Sequence, residues 1–129
     1  MSDDTERRRE QRLKYQWPVW FAEDINKHLF QGQMVDIASG GAAFTCYTDQ
    51  CRTWPGQKIT ARFSVPQFGE DDSFELASFT RVGHICRIDD VSNFTRKISI
   101  QFAEPLPFKP AEQIVNTNKE EPKLWAVTV

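Results

Sequence analysis

Apolar and polar residues alternate along several short segments of the chain, a period of two that is typical of β-strands with one buried face. The clearest segment is Lys58–Val65, where every second residue from Ile59 is apolar and the residues between them are polar. Five further segments have a similar texture: 15–22, 29–37, 42–47, 74–88 and 97–102. Pro18 cannot donate a hydrogen bond to a sheet, so we expect its strand to lie at an edge or to open there.

Turn-forming residues separate these six segments, and no long helical pattern lies among them. Ser39-Gly40-Gly41 and Trp54-Pro55-Gly56 are two such turns, and Gly69-Glu70-Asp71-Asp72 is a third. Short strands at fairly even spacing predict an all-β antiparallel barrel or sandwich over residues 15–104. Closing the sheet into a barrel would remove its exposed edges.

Both ends of the chain differ from this pattern. Residues 1–14 are almost entirely polar and charged, with Leu13 as the apolar residue near the strands. We therefore expect a flexible, arginine-rich arm that has nothing to anchor it in a core. Residues 105–129 contain several prolines, and 110–115 could form one or two helical turns that begin at Pro110. We expect this C-terminal extension to be a short helix or tail.

Composition narrows the classes of protein to which the chain could belong. A chain of 129 residues fits one domain, and its formal charge of −2 gives no reason to expect DNA or RNA binding. No apolar run approaches the ~20 residues of a membrane span, so no membrane insertion is expected. The charged beginning does not resemble a secretory signal. Cys46, Cys51 and Cys86 include no CxxC pair, which favours a reduced, cytoplasmic protein.

The sequence offers little for catalysis or metal binding. His84 and Cys86 share a strand face, but no second ligand pair accompanies them, so we predict no metal site. The chain lacks a nucleophile elbow, a phosphate-binding glycine loop and carboxylates with an evident catalytic spacing. Neither histidine has an obvious acid partner. We therefore predict that the protein is not an enzyme.

Two short motifs carry the functional prediction. Arg8 and Arg12 form an RxxxR spacing in the arm, and Asp36-Ile37-Ala38-Ser39-Gly40-Gly41 follows at the end of a predicted strand. In this order they resemble the two motifs of PilZ domains, RxxxR and (D/N)xSxxG. The segments 79–88 and 98–102 also look like the last two strands of that family, so the resemblance covers roughly residues 7–104.

The resemblance implies a six-stranded antiparallel β-barrel that binds the bacterial second messenger cyclic di-GMP. It implies ligand contacts from Arg8, Arg12, Asp36, the position of Ala38, and Gly41. No cofactor is expected besides this ligand. A sensor without a second domain would also pass its signal to a downstream protein that the sequence does not identify.

The chemistry of these residues suits such a ligand. Cyclic di-GMP is a dianion with two flat guanines, and an arginine fork can pair with phosphate or a guanine edge while its plane stacks on a base. A carboxylate at Asp36 would accept hydrogen bonds from the donors of a guanine. Gly41 would permit a positive φ, which Gly40 could share, or a close approach of the ligand.

Ala38 departs from the family motif, which has serine there. Moving the register so that Ser39 becomes the motif serine fails, because Ile37 and Ala42 would then replace the acidic residue and the glycine. The missing hydroxyl would weaken binding about fivefold to tenfold. The main alternative is a degenerate PilZ-fold module that binds proteins and not the nucleotide. A nucleic-acid-binding barrel or an unrecognised enzyme fits less well.

Overall fold

The computed structural model describes residues 10–49, 51–68 and 74–113 of the chain. Seven strands lie in these ranges: β1 (Leu13–Lys14), β2 (Pro18–Ala22), β3 (Phe30–Ala38), β4 (Gly41–Tyr47), β5 (Lys58–Phe68), β6 (Phe74–Asp90) and β7 (Thr95–Phe102). The six predicted strands correspond to β2–β7, with ends that differ by only a few residues.

Hydrogen bonding closes the sheet on itself. The strands follow the order β1-β3-β2-β5-β6-β7-β4, and a further pairing of β3 with β4 completes the circle. Every pairing is antiparallel. The predicted all-β, six-stranded antiparallel barrel is confirmed, and its closure leaves β2–β7 without an unpaired edge.

The short strand β1 pairs with β3, as β2 does, but at positions nearer to the end of β3. Leu13 pairs with Ile37, and the pairing of β2 with β3 then starts at Pro18. Leu13 is 4% exposed and belongs to the core, so the expectation that the arm has no anchor is wrong at this residue. The cause lies in the tertiary structure, because pairing with β3 directs the Leu13 side chain into the barrel. Pro18 is the first residue of β2, which lies between β3 and β5, so the strand opens there and is not an edge.

The core is built from the inward positions that alternation predicts. In β5, Ile59, Ala61, Phe63 and Val65 are each at most 2% exposed. Phe63 stacks on Phe102 of β7, with ring centroids 5.6 Å apart. Phe21 of β2 contacts Phe44 of β4 at 4.8 Å. Each buried phenylalanine contributes roughly 1.5–3 kcal/mol through the area it removes from water, so these rings hold the walls of the barrel together.

A disulfide joins Cys46 at the end of β4 to Cys51 in the following loop. The prediction of reduced cysteines is therefore wrong for this pair, whereas Cys86 is free and exposed. The chain reverses between the two residues, with the Cys51 amide donating to the Thr48 carbonyl, which brings the Cα atoms to 6.3 Å. Spacing along the sequence does not show this reversal.

The described part of the C-terminal extension packs against the barrel. Leu106 and Ala111 are buried, and the Gln113 side chain donates to the Pro66 carbonyl at 2.7 Å. The amides of Glu112 and Gln113 both donate to the Lys109 carbonyl, so one turn forms where a helix was predicted. The rest of that predicted helix, 114–115, lies outside the described residues. In the described ranges no helix is long and apolar enough to cross a membrane.

Candidate functional site

Four of the five residues predicted to bind a ligand converge where β1 meets the β3–β4 hairpin. Asp36 and Ala38 lie in the last part of β3, and Gly41 begins β4. Arg12 immediately precedes β1 and lies beside Asp36. Arg8 lies outside the described residues.

Arg12 and Asp36 connect the two sequence motifs directly. The Arg12 Nε donates to Asp36 Oδ1 at 2.8 Å. The pairing of β1 with β3 explains this contact, because it sets Lys14 opposite Asp36 and brings the preceding residues alongside the strand. The Arg12 side chain is 45% exposed and that of Asp36 only 14%. Such a partly exposed ion pair contributes little to stability, about 0.5 kcal/mol. The guanidinium takes part in the contact through its Nε atom.

A second contact between arm and barrel was not predicted. The Ser39 amide donates to Glu10 Oε2, and the Ser39 hydroxyl donates to Glu10 Oε1, both at 2.7 Å. Glu10 lies inside the RxxxR spacing, and Ser39 follows Ala38 in the second motif. In the sequence, the only indication of this contact was that Glu10 and Ser39 lie within the two motifs. Because 29 positions separate them, only the fold shows that they meet.

The side chain of Ala38 is buried at 6% exposure, and its backbone pairs with Gly41 across the hairpin. Ser39, the next residue, is half-buried and contacts the arm through Glu10. The hydroxyl that the family motif would place at residue 38 is therefore not replaced by that of Ser39, which is engaged with Glu10.

Gly41 has a structural role that differs from one of the predicted ones. Among the described residues the glycine with positive φ is Gly56, at 91°, so the expectation of a positive φ at Gly41 or Gly40 is wrong. A Cβ added at Gly41 would collide with the Ile100 carbonyl oxygen of β7, whereas one added at Gly40 meets no atom within 4 Å. The close approach at Gly41 is thus between β4 and β7. The predicted approach of a ligand stays a prediction.

Aromatic residues hold the chain just after the arm. The Tyr15 hydroxyl donates to the Ser64 carbonyl of β5 at 2.9 Å, and burial raises the pKa of this hydroxyl above its usual value. The Trp17 ring lies 6.1 Å from the Tyr15 ring and is 36% exposed. A neutral, hydrogen-bonded tyrosine therefore fixes the base of the arm, beside an indole that faces solvent in part.

The described ranges contain no group of three or more histidine, cysteine or acidic residues that could hold a metal ion. The arrangement at the hairpin has a different character. It combines the partly exposed Arg12 guanidinium and the Asp36 carboxylate with a half-buried serine whose two donors bind Glu10. An arginine fork can pair with an anionic group or stack on a flat ring, and a carboxylate accepts hydrogen bonds from the donors of a ligand.

Comparison with known proteins agrees with this description. The PilZ domain family matches the sequence over residues 6–117. No curated protein sequence matches significantly.

Two solved structures are similar in fold. One is Bacillus subtilis inhibitor of motility (MotI/DgrA), with a TM-score of 0.62 and 14% identity; the match covers 93% of this chain and 52% of that one, so this chain spans about half its length. The other is the PilZ domain of YcgR from Escherichia coli with c-di-GMP, with a TM-score of 0.54 and 15% identity over 95% of this chain and 99% of that one. At these identities the similarity concerns the fold.

Proposed function

This chain belongs to the PilZ domain family, and we propose that it binds cyclic di-GMP between its N-terminal arm and the barrel surface. The observation that carries the proposal is the 2.8 Å contact of Arg12 with Asp36, which unites the two motifs in one place. In the proposed complex Arg8 and Arg12 contact the ligand from the arm. Asp36, the position of Ala38, and Gly41 contact it from the hairpin.

The proposed roles follow from the chemistry of each group. The Arg12 guanidinium is engaged through Nε, and its terminal nitrogens suit a phosphate or the O6/N7 edge of a guanine. Asp36 is an acceptor for the N1–H and amino donors of guanine. Binding requires the Arg12–Asp36 pair to be shared with the ligand or exchanged for it. The low stability of that pair keeps this cost small.

We further propose a non-catalytic sensor or adaptor that acts on a downstream protein. Its proposed cytoplasmic location rests on the proposed second-messenger ligand and not on its cysteines, since Cys46 and Cys51 form a disulfide. The solved E. coli PilZ domain contains c-di-GMP, which supports the ligand class. The B. subtilis neighbour is named an inhibitor of motility, which is consistent with an adaptor. The alternative, a PilZ-fold interaction module without nucleotide binding, is favoured by Ala38, where the motif serine is absent.

Direct titration separates these two functions. We expect calorimetry to give a dissociation constant in the low-micromolar range or weaker, since the motif hydroxyl is missing. Ligand at 100 times that constant should stabilise the fold by about 2.7 kcal/mol and raise the melting temperature measurably. Absence of both heat and a melting shift at ~100 μM ligand would contradict nucleotide binding and favour the interaction module.

Arginine variants then test the site. Arg8→Ala and Arg12→Ala should each weaken binding about tenfold or more, because each removes charge-assisted hydrogen bonds to the ligand. The melting temperature of Arg12→Ala without ligand should stay close to that of the wild type, since its half-exposed ion pair adds little. We expect the same of Arg8→Ala. Arg7→Ala and Arg9→Ala are the matched controls and should have much smaller effects. Equal losses at all four positions would show that the arm acts only as undirected positive charge.

A further inference from the structure

Glu10 binds the barrel with both of its carboxylate oxygens. One accepts the Ser39 amide and the other the Ser39 hydroxyl, both at 2.7 Å. Glu10 lies between Arg8 and Arg12, at a position that the RxxxR spacing leaves open. A charged acceptor with two short hydrogen bonds makes a stronger contact than neutral partners would.

Ser39 is a firmly held partner for this carboxylate. Its carbonyl accepts the Leu106 amide at 2.8 Å, and the carbonyl of the next residue, Gly40, accepts the Phe102 amide at 2.8 Å. The hairpin is thus fixed from the C-terminal side of the barrel. The amide and hydroxyl of Ser39 therefore present two donors in a fixed place.

The base of the arm is fixed at Tyr15, whose amide donates to the Val35 carbonyl at 3.2 Å and whose hydroxyl donates to Ser64, but contacts become few towards Arg12. The strand β1 has only two residues, which pair with Ile37 and Asp36. A shift of one residue in strand pairing turns every side chain to the opposite face. Such a shift would move Leu13 out of the core and Arg12 away from Asp36. Tyr15 constrains this ladder at one end, and the Glu10–Ser39 contact is a second fixed point at the other end, on the far side of Arg12.

We propose that the Glu10–Ser39 contact sets the register of the arm on β3 before ligand arrives, and that it thereby holds Arg12 at Asp36. Glu10 and Ser39 are positioning residues in this scheme and act on the ligand through Arg12. The part of the proposal that concerns ligand affinity rests on the proposed function. Its physical basis is preorganisation: an arm already in place loses less conformational freedom on binding.

The first test needs no ligand. The Ser39 amide donates to Glu10 alone among the described residues, so Glu10→Ala should speed its hydrogen exchange, measured by NMR, about tenfold. The Met34 amide, which donates to the Trp17 carbonyl at 2.7 Å, should be unaffected in the same sample. Trypsin cleavage after Arg12 should also become faster. Glu23→Ala, which removes an exposed carboxylate elsewhere, is the control for loss of charge and should change neither measurement.

The second test asks whether Glu10 acts through Arg12. Glu10→Ala should weaken cyclic di-GMP binding about fivefold to tenfold when Arg12 is present, and by less than about twofold in the Arg12→Ala background. A residue that only stabilised the fold would have the same effect in both backgrounds. Ser39→Ala should cause part of the same loss of affinity. Ser39→Thr, which keeps the hydroxyl, should bind cyclic di-GMP about as tightly as the wild type.

The outcomes are distinct. Unchanged exchange at Ser39 and unchanged cleavage after Arg12 in Glu10→Ala would overturn the proposal without reference to any ligand. Faster exchange together with equal affinity losses in both Arg12 backgrounds would overturn the positioning role. If the wild type binds no cyclic di-GMP, the proposed function fails and the positioning of Arg12 for the ligand fails with it. The exchange and cleavage results would then still decide whether Glu10 sets the register.

Discussion

Ala38 stands where the family motif has serine, and its side chain is 6% exposed within β3. Replacing it with serine would place a hydroxyl in the barrel wall without an evident partner in the free protein, at a cost of about 1 kcal/mol. A ligand that reaches this position would supply the missing partner. The same substitution should therefore lower stability and raise affinity.

We expect Ala38→Ser to tighten cyclic di-GMP binding a few-fold and to lower the melting temperature of the free protein by a few degrees. Calorimetric titration and thermal melting measure the two effects separately. Ala43→Ser, at a buried alanine of β4, is the control: it should lower stability without tightening binding. If the affinity of Ala38→Ser is unchanged or weaker, the ligand does not use this position.

At the scale of elements, the β3–β4 hairpin combines the second motif with the closure of the barrel. Gly41 pairs with Ala38 on one side and with Gln101 on the other. It therefore belongs both to the candidate site and to the seam between β4 and β7. Its neighbour Gly40 lies in the turn, where an added Cβ would meet no atom within 4 Å.

Alanine substitutions at Gly41 and at Gly40 test the packing around each glycine separately. Gly41→Ala should destabilise the protein by roughly 1–3 kcal/mol, because its Cβ would overlap the Ile100 carbonyl and push β4 from β7. Gly40→Ala is the matched control and should leave stability within about 1 kcal/mol of the wild type, since neither steric overlap nor a positive φ opposes it. Denaturant unfolding measures both. Equal stability of the two variants would contradict the close packing of β4 on β7.

At the scale of the whole molecule, the barrel is held by its core and by one covalent link among the described residues. The Cys46–Cys51 disulfide ties the end of β4 to the loop that leads towards β5. Both cysteines are buried, at 6% and 1% exposure. Such a short crosslink stabilises a fold by roughly 2 kcal/mol, mainly by restricting the unfolded chain.

Reduction should therefore lower the melting temperature by roughly 5–10 °C. The free and exposed Cys86 is the control: Cys86→Ser should respond to reductant as the wild type does. Alkylation of the denatured, unreduced protein should label Cys86 and leave the other two cysteines unmodified. Labelling of all three, with no effect of reductant on melting, would show that the disulfide does not form.

Most of the fold could be predicted from the sequence. Side chains of a barrel strand point alternately to the core and to solvent, so apolar and polar residues alternate along the chain. Lys58–Val65 is the clearest case: its apolar positions are the ones that the structure buries. The motifs likewise predicted that Arg12 and Asp36 act together, and the structure places their side chains in contact, while their binding of a ligand stays a prediction. These features depend on local pattern or on residue type.

Contacts between distant segments were decided only by the tertiary structure. Leu13 enters the core because β3 pairs with it, and the close approach of β7 explains why Gly41 has no side chain. Glu10 meets Ser39 across 29 positions, and Cys46 meets Cys51 because the chain reverses between them. Periodicity shows which face of a strand is buried, but not which segment lies opposite, because pairing partners and register arise only when the barrel closes.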